Sequence, residues 1–386
     1  NDMKTFLRKL GVTAPLTDQN YIASPNAAAD RALLDVVDLH LYGDHPEYPG
    51  RPWQPPARFG NRSQLARRLK APLELAPARL FGKPFMVTEF DICYPNEFRS
   101  EGAVLFGAFA AQQGWSGLFR FDYAGHHRGL FGKPDLRCFE TAHDPVRMLS
   151  ERIGLAAFLR GDVATAREKF EIAVAPDCMG SYLPTYPDEY EQLALHGRVG
   201  TVLADANAGP AAPGTTRPGE LAADYAAGTF RMVTPRSEAA VLPEKQALAG
   251  AVLRVRAERS FATVAAIALD DRPLAESDRI LLLHLTDNRL EGMEFKSGHG
   301  LTIYRDGSGR MLGRKGTASF ALALPEKTWK LHALDCSGRR LAEIPFRREQ
   351  GELRFTADTF QVPDQVVFAY ELTAQRRRNS ARPVTR

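Results

Sequence analysis

The sequence predicts two kinds of structure in one chain, an α/β region built on parallel strands followed by an all-β sandwich. Three observations lead there. The first is the segment Lys83-Pro-Phe-Met-Val-Thr-Glu-Phe90, a short apolar strand that ends in a single glutamate. The second is a set of flanking segments of similar character, Asp38-Leu-His-Leu-Tyr42 before it and Gly114-Trp-Ser-Gly-Leu-Phe-Arg-Phe-Asp-Tyr123 after it, separated by helix-like stretches. The third is a change after residue 229 to short strands with no helical pattern between them, the pattern of an antiparallel sandwich.

At the amino end, Met3, Phe6, Leu7 and Leu10 share one helix face, and Gly11 supplies a stop. Strands are predicted over 12–17, 36–40, 85–89 and 117–121. Between the last two, 99–113 is rich in Gly and Ala, which lets a helix lie close on a sheet. Asp144-Pro145 opens another helix through Phe158, with the proline in its first turn. Residues 170–203 show no clear period. The Pro- and Gly-rich stretch 205–219 reads as a linker. Further strands are predicted at 229–234, 252–257, 262–269, 279–285, 317–322, 329–334 and 366–372, the sandwich as a whole running over 229–374 as an independent unit. The last twelve residues hold five arginines and no acid, and predict a disordered tail.

Composition narrows the function classes. The 386 residues are 44% hydrophobic and 25% charged, ordinary for a globular protein. No apolar run is long enough to span a bilayer. The net charge of +4 rests on the tail arginines, so no nucleic-acid footprint is indicated. Cys93, Cys138, Cys178 and Cys336 form no C-x-x-C pair; neither a zinc site nor a dense disulfide framework follows, and one bridge stays open. The neighbours His126 and His127 lack a third ligand, so no metal is predicted. Phosphate-binding glycine loops and a G-x-S-x-G elbow are missing, and no cofactor is expected.

Chemistry concentrates at the strand ends. Alternation from Val87 places Glu89 inward at the carboxyl end of its strand, where parallel-barrel enzymes keep their catalytic groups. His40 and Tyr42 share one strand face, and a tyrosine hydroxyl there would hydrogen-bond the carboxylate and keep it ionised; a buried, satisfied His/Tyr pair fits the same letters. Tyr123 and Trp115 offer aromatic faces to the C–H face of a sugar, Tyr123 at the chemical end of its strand and Trp115 at the other. Asp18 and Asn20 follow the first predicted strand and would reach the same pocket, or form a turn. The loop Gly43-Asp-His-Pro-Glu-Tyr-Pro-Gly50 borders it.

In this order the motifs resemble the second half of a clan A glycoside hydrolase, a retaining (β/α)8 enzyme, over residues 1–165. The resemblance implies the last four βα units of a TIM barrel, joined through 166–228 to the accessory sandwich. It implies His40 and Tyr42 at the end of the sixth strand, Glu89 as the nucleophile ending the seventh, and Phe121 and Tyr123 as the sugar platform of the eighth. It implies a poly- or oligosaccharide substrate and a periplasmic or secreted location. Retention needs a second carboxylate about 5 Å away. In the clan it sits in Asn-Glu on the fourth strand, expected here on a segment before Asn1; Asn96-Glu97 follows the wrong strand for that role. Half a barrel also calls for a partner segment or an oligomer to close its edges. The alternative is a non-catalytic carbohydrate-binding or scaffold protein derived from a glycosidase.

Overall fold

A computed structural model of the protein describes residues 2–374 apart from 19, 22, 133–135, 176–185, 187 and 205–218. The arginine tail and nearly all of the Pro/Gly-rich stretch lie outside these residues. The chain is mixed, with helices and strands, and its sheets are largely antiparallel, the largest having eight strands.

Three of the four strands predicted for the α/β region form one parallel sheet. Val37–Asp44 lies on one side, Phe85–Ile92 in the middle and Gly117–Arg120 on the other. The fourth, over 12–17, is not a strand. Pro15 has no amide to offer a ladder, and the backbone of Leu16 is tied instead to Asp35 and Val36, its amide donating to Asp35 Oδ2 at 3.0 Å and its carbonyl accepting from both of their amides. The predicted amino-terminal helix is present as Asp2–Lys9. In the patternless stretch, Lys169–Val174 and Arg198–Leu203 pair in parallel, and Leu80 bridges to Thr201.

Helices Glu101–Gln113 and Pro145–Ala157 cover the parallel sheet and lie against each other through glycines. A Cβ on Gly107 would stand 2.7 Å from Gly154 Cα, so the contact exists only because both positions lack side chains. Their other side meets the eight-stranded sheet, where Phe109 packs on Phe230 with ring centroids 5.9 Å apart.

That sheet runs 340–343, 329–334, 369–374, 279–285, 262–268, 237–242, 229–233, 221–224, and a five-stranded antiparallel sheet stands behind it. Strand Ala262–Ala268 shows how one sequence serves two cores. Ala265 and Ile267 face the helices, whereas Ala262, Val264, Ala266 and Ala268 face the second sheet, as the two-residue period of a strand requires. All seven residues are buried.

The sandwich is therefore not independent of what precedes it. Val87, Phe106 and Ile153 share one hydrophobic core with Met232, Val241, Ile267 and Leu283. A hairpin, Glu294–Ser297 and Leu301–Arg305, reaches back and pairs with Ala57–Phe59. Arg99 adds a buried ionic clasp, its guanidinium bonded to Asp144 Oδ2 at 2.6 Å, Asp287 Oδ1 at 2.5 Å and Asn288 Oδ1 at 2.8 Å.

Candidate active site

The parallel sheet sets the site. Its register pairs Leu39 with Val87 and then His40 with Glu89, so the Glu89 strand carries one extra residue at Thr88. Such a bulge re-aims side chains. Thr88 and Glu89, adjacent in sequence, both reach the row formed by Asp38, His40 and Tyr42. Strict alternation would have sent them to opposite faces, so the argument from Val87 does not explain where Glu89 points; the bulge does.

Two contacts meet at one carboxylate oxygen. The Tyr42 hydroxyl donates to Glu89 Oε2 at 2.5 Å, and His40 Nδ1 lies 3.3 Å from the same atom. The His40 ring is placed from behind by Thr88. Its Nε2 is 2.9 Å from Thr88 Oγ1, and that hydroxyl donates to Asp38 Oδ1 at 2.6 Å. The ring edge of Tyr21 covers His40, with centroids 5.1 Å apart. Burial first, and the bond to Glu89 second, hold the Tyr42 phenol in its protonated form well above its ordinary range. About a quarter of the Glu89 side chain stays open to solvent, so the carboxylate is held and still accessible.

The other predicted residues divide. Asn20 joins the group through its backbone, its carbonyl accepting from the His40 amide at 2.7 Å. Asp18 is exposed beside that turn. Tyr123 is 58% exposed and its carbonyl accepts from the amides of Thr141 and Ala142, leaving an open ring at the rim. Trp115 is a correction: it is 5% exposed and packed against Phe85 at 5.2 Å, at the amino end of the sheet. A ring covered by protein offers no face to a sugar.

An aromatic cavity of about 460 Å3 adjoins this site, lined by Tyr48, Trp53, Tyr94, Phe121 and Phe139, with Asp122 and Glu140 also in its wall. Phe121 and Phe139 also pack edge-on against Tyr42, with centroids 6.4 and 5.2 Å away. Met293, Ile303 and Asp306 of the sandwich's returning hairpin close the far wall. No family model, curated protein or solved structure matches this chain. The site is thus read from its own chemistry.

Trp53, Phe139, Asp122 and Glu140 lie outside the predicted set. Trp53 follows the Pro/Gly loop that was expected to border a pocket, is 65% exposed, and leans on Tyr48 and Phe139; an aromatic in such a loop was the available signal. The two carboxylates come from loops after the last parallel strand, where sequence gives no direction. Among the described residues no group of three or more His, Cys, Asp or Glu side chains is arranged to hold a metal ion. Cys93, Cys138 and Cys336 carry free thiols.

Proposed function

We propose that the chain is a retaining glycoside hydrolase acting on a poly- or oligosaccharide, with Glu89 as its nucleophile. On this reading the three parallel strands belong to the last part of a (β/α)8 barrel, and the sandwich is its accessory domain. The observation that carries the reading is the convergence of Tyr42 and His40 on one oxygen of Glu89 in the middle strand of the parallel sheet.

The chemistry follows from that arrangement. Glu89 attacks the anomeric carbon as the glycosidic bond breaks, the leaving oxygen takes a proton from a second carboxylic acid, and water later releases the sugar from Glu89. Tyr42 donates to the attacking carboxylate and keeps it ionised. His40, fixed by Thr88 and Asp38, stands beside the carboxylate with its Nδ1 3.3 Å from Oε2 and without a hydrogen bond of its own among the described residues. The second carboxylate is not assigned to a residue.

Trapping tests the nucleophile directly. The protein is incubated with a panel of activated 2-deoxy-2-fluoro glycosides and the labelled peptide is read by mass spectrometry. The label is expected on Glu89, and Glu89→Gln is expected to lower turnover of aryl glycosides about a thousandfold or more. A label on another residue, or unchanged turnover, overturns the assignment. The aromatic cavity favours a second reading, a carbohydrate-binding protein without catalysis; no turnover by the wild type together with saccharide binding that Glu89→Gln leaves intact would establish it.

A further inference from the structure

The five-stranded sheet of the sandwich runs 247–249, 253–259, 317–322, 352–358, 347–349. One face packs into the core through Leu253, Val255, Phe320, Leu353 and Phe355. The two-residue period of a strand therefore turns Arg254, Arg256, Ser319, Ala321, Arg354 and Thr356 to the opposite face. A cavity of about 940 Å3 opens there, and the hydrolysis chemistry at Glu89 makes no use of it.

Its charge is organised by the register. Arg254, Ala321, Arg354 and Arg347 lie side by side across four strands, and Arg256, Ser319 and Thr356 form the next row. Small residues hold the middle of both rows, so the guanidiniums stand above a low floor. Glu352 orients two of them: its Oε2 accepts from Arg354 Nη2 at 2.6 Å and its Oε1 accepts from Arg254 Nη1, so two cations share one carboxylate. The acid contacts of Arg256 and Arg347 are long, 3.6 Å to Glu258 at the margin of the face and 3.5 Å to Glu349, and the two side chains are 53% and 85% exposed. The lining thus sets four arginines against two acids, Glu349 and Glu352. Each guanidinium has five N–H donors, so the face keeps both positive charge and donors in excess.

We infer that this face binds an acidic polysaccharide, with the carboxylate or sulfate groups of the chain on the arginines and its hydroxyls over Ser319 and Thr356. All four cations are arginines, whose planar forks match such oxyanions with two donors at once. Five strands about 4.8 Å apart span about 19 Å, enough for an extended chain to lie across both rows. A nucleic acid would call for aromatic stacking platforms, and an acidic protein segment for a pocket that takes an apolar anchor; neither row carries an aromatic side chain, and the floor between the arginines is Ala, Ser and Thr. The saccharide part of this inference rests on the glycosidase reading; the anion part stands on the arginine rows alone.

Calorimetric titration of the whole protein at neutral pH with oligogalacturonates, dextran sulfate fragments and neutral dextran fragments tests it, with a DNA duplex and polyglutamate as the other polyanions. At least one acidic saccharide is expected to bind about tenfold or more tighter than neutral dextran, DNA and polyglutamate, and to weaken as salt is raised from about 0.05 to about 0.5 M. Which of the two binds separates carboxylate from sulfate. Arg256→Ala combined with Arg347→Ala should remove the preference at an unchanged thermal midpoint, whereas Arg310→Ala, as exposed as Arg347 but outside the cavity, should not. Should the double variant melt lower, Ser319→Glu on the exposed floor is expected to remove the preference by its charge. No acidic saccharide bound more tightly than neutral dextran, a preference that survives these changes, or an equal loss in Arg310→Ala overturns the inference. Binding of DNA or polyglutamate as tight as that of the acidic saccharides also overturns it, and replaces it with a nucleic-acid or acidic-protein surface. Glu89→Gln separates the two proposals, since it should abolish turnover without changing acidic-saccharide affinity. Preference for acidic saccharides in a protein that turns over no glycoside sinks only the hydrolase, and turnover without that preference sinks only the arginine face.

Discussion

The Tyr42 hydroxyl donates to Glu89 Oε2 across two neighbouring parallel strands, and the phenol is held protonated by burial first and by that bond second. Glu89→Gln keeps the shape and the burial but removes the negative charge. The Tyr42 tyrosinate should then form at lower pH than in the wild type, while staying above the ordinary phenol value of about 10 because burial persists. Carbon-13 labelling of tyrosine and an NMR pH titration would follow the ring. An unchanged Tyr42 midpoint would show that the carboxylate does not act on it.

Arg99 is fully buried, and its charge is matched by Asp144, also fully buried, and by Asp287 from the sandwich. Burial alone would lower its pKa, and the two acids more than reverse that. Arg99→Met would remove the cation that joins the two acids, leaving Asp144 to Arg147 and Asp287 to Arg314 and Arg289, at a cost of about 3 kcal/mol, the lower end for a broken buried pair because each acid keeps a cation. Urea unfolding should show that loss in one shared transition, because the helices and the eight-stranded sheet share a core. Two separate transitions in the wild type would contradict the joint core.

How much of this was legible depended on whether a signal was local. Strands 253–259, 279–285 and 329–334 were readable from alternating or continuous apolar residues bounded by turns. Ser237–Leu242 was not, because all six of its residues are buried, including Glu238, whose carboxylate accepts from the amides of residues 251–253; an acid in that position looks like a loop. The grouping of His40, Tyr42 and Glu89 followed from strand order. The part played by Thr88 and Asp38 did not, since it depends on a bulge that no residue type announces. Trp53, Asp122 and Glu140 are brought together by loops, and loop direction is set by tertiary packing.

Glu101, at the start of its helix, is fully buried, and burial pushes its carboxyl up to about 8, against bonds from the Gln64 amide and the Ser63 hydroxyl that pull it down. The folded chain thus keeps this proton to about pH 8, whereas the unfolded chain releases it near the ordinary value of 4.5. Between those limits the folded state binds more protons, so its stability falls as pH rises, by up to about 5 kcal/mol. Glu101→Gln should flatten this slope between pH 5 and 8. A chemical-denaturation series across that range checks it, and parallel profiles for the two proteins would refute it.

His284 works in the opposite direction. It lies on strand Arg279–Leu285, fully buried, on the side of the eight-stranded sheet that faces the five-stranded one, with Ile280 and Leu282 as its companions on that face. Neither ring nitrogen has a hydrogen-bond partner among the described residues. Burial lowers its pKa from 6.5 to about 4, and the nearby Asp358 offsets only part of this. In the unfolded chain the imidazole gains a proton as pH falls through about 6.5; in the folded chain it does so only near 4. Protons therefore favour the unfolded state through that window, and stability is lost as pH falls, by up to about 3 kcal/mol below both values. His284→Leu removes the titration and leaves no buried nitrogen unpaired, in a place already lined by aliphatic residues. The variant should be more stable than the wild type, with a gain that grows from pH 8 down to pH 4.5, where an unpaired buried polar group is worth about 1–3 kcal/mol even before the proton is counted. Thermal midpoints measured at both pH values decide the matter. A gain that is equal at the two would mean that the proton plays no part, and a loss at both would mean that the imidazole has a partner that holds it.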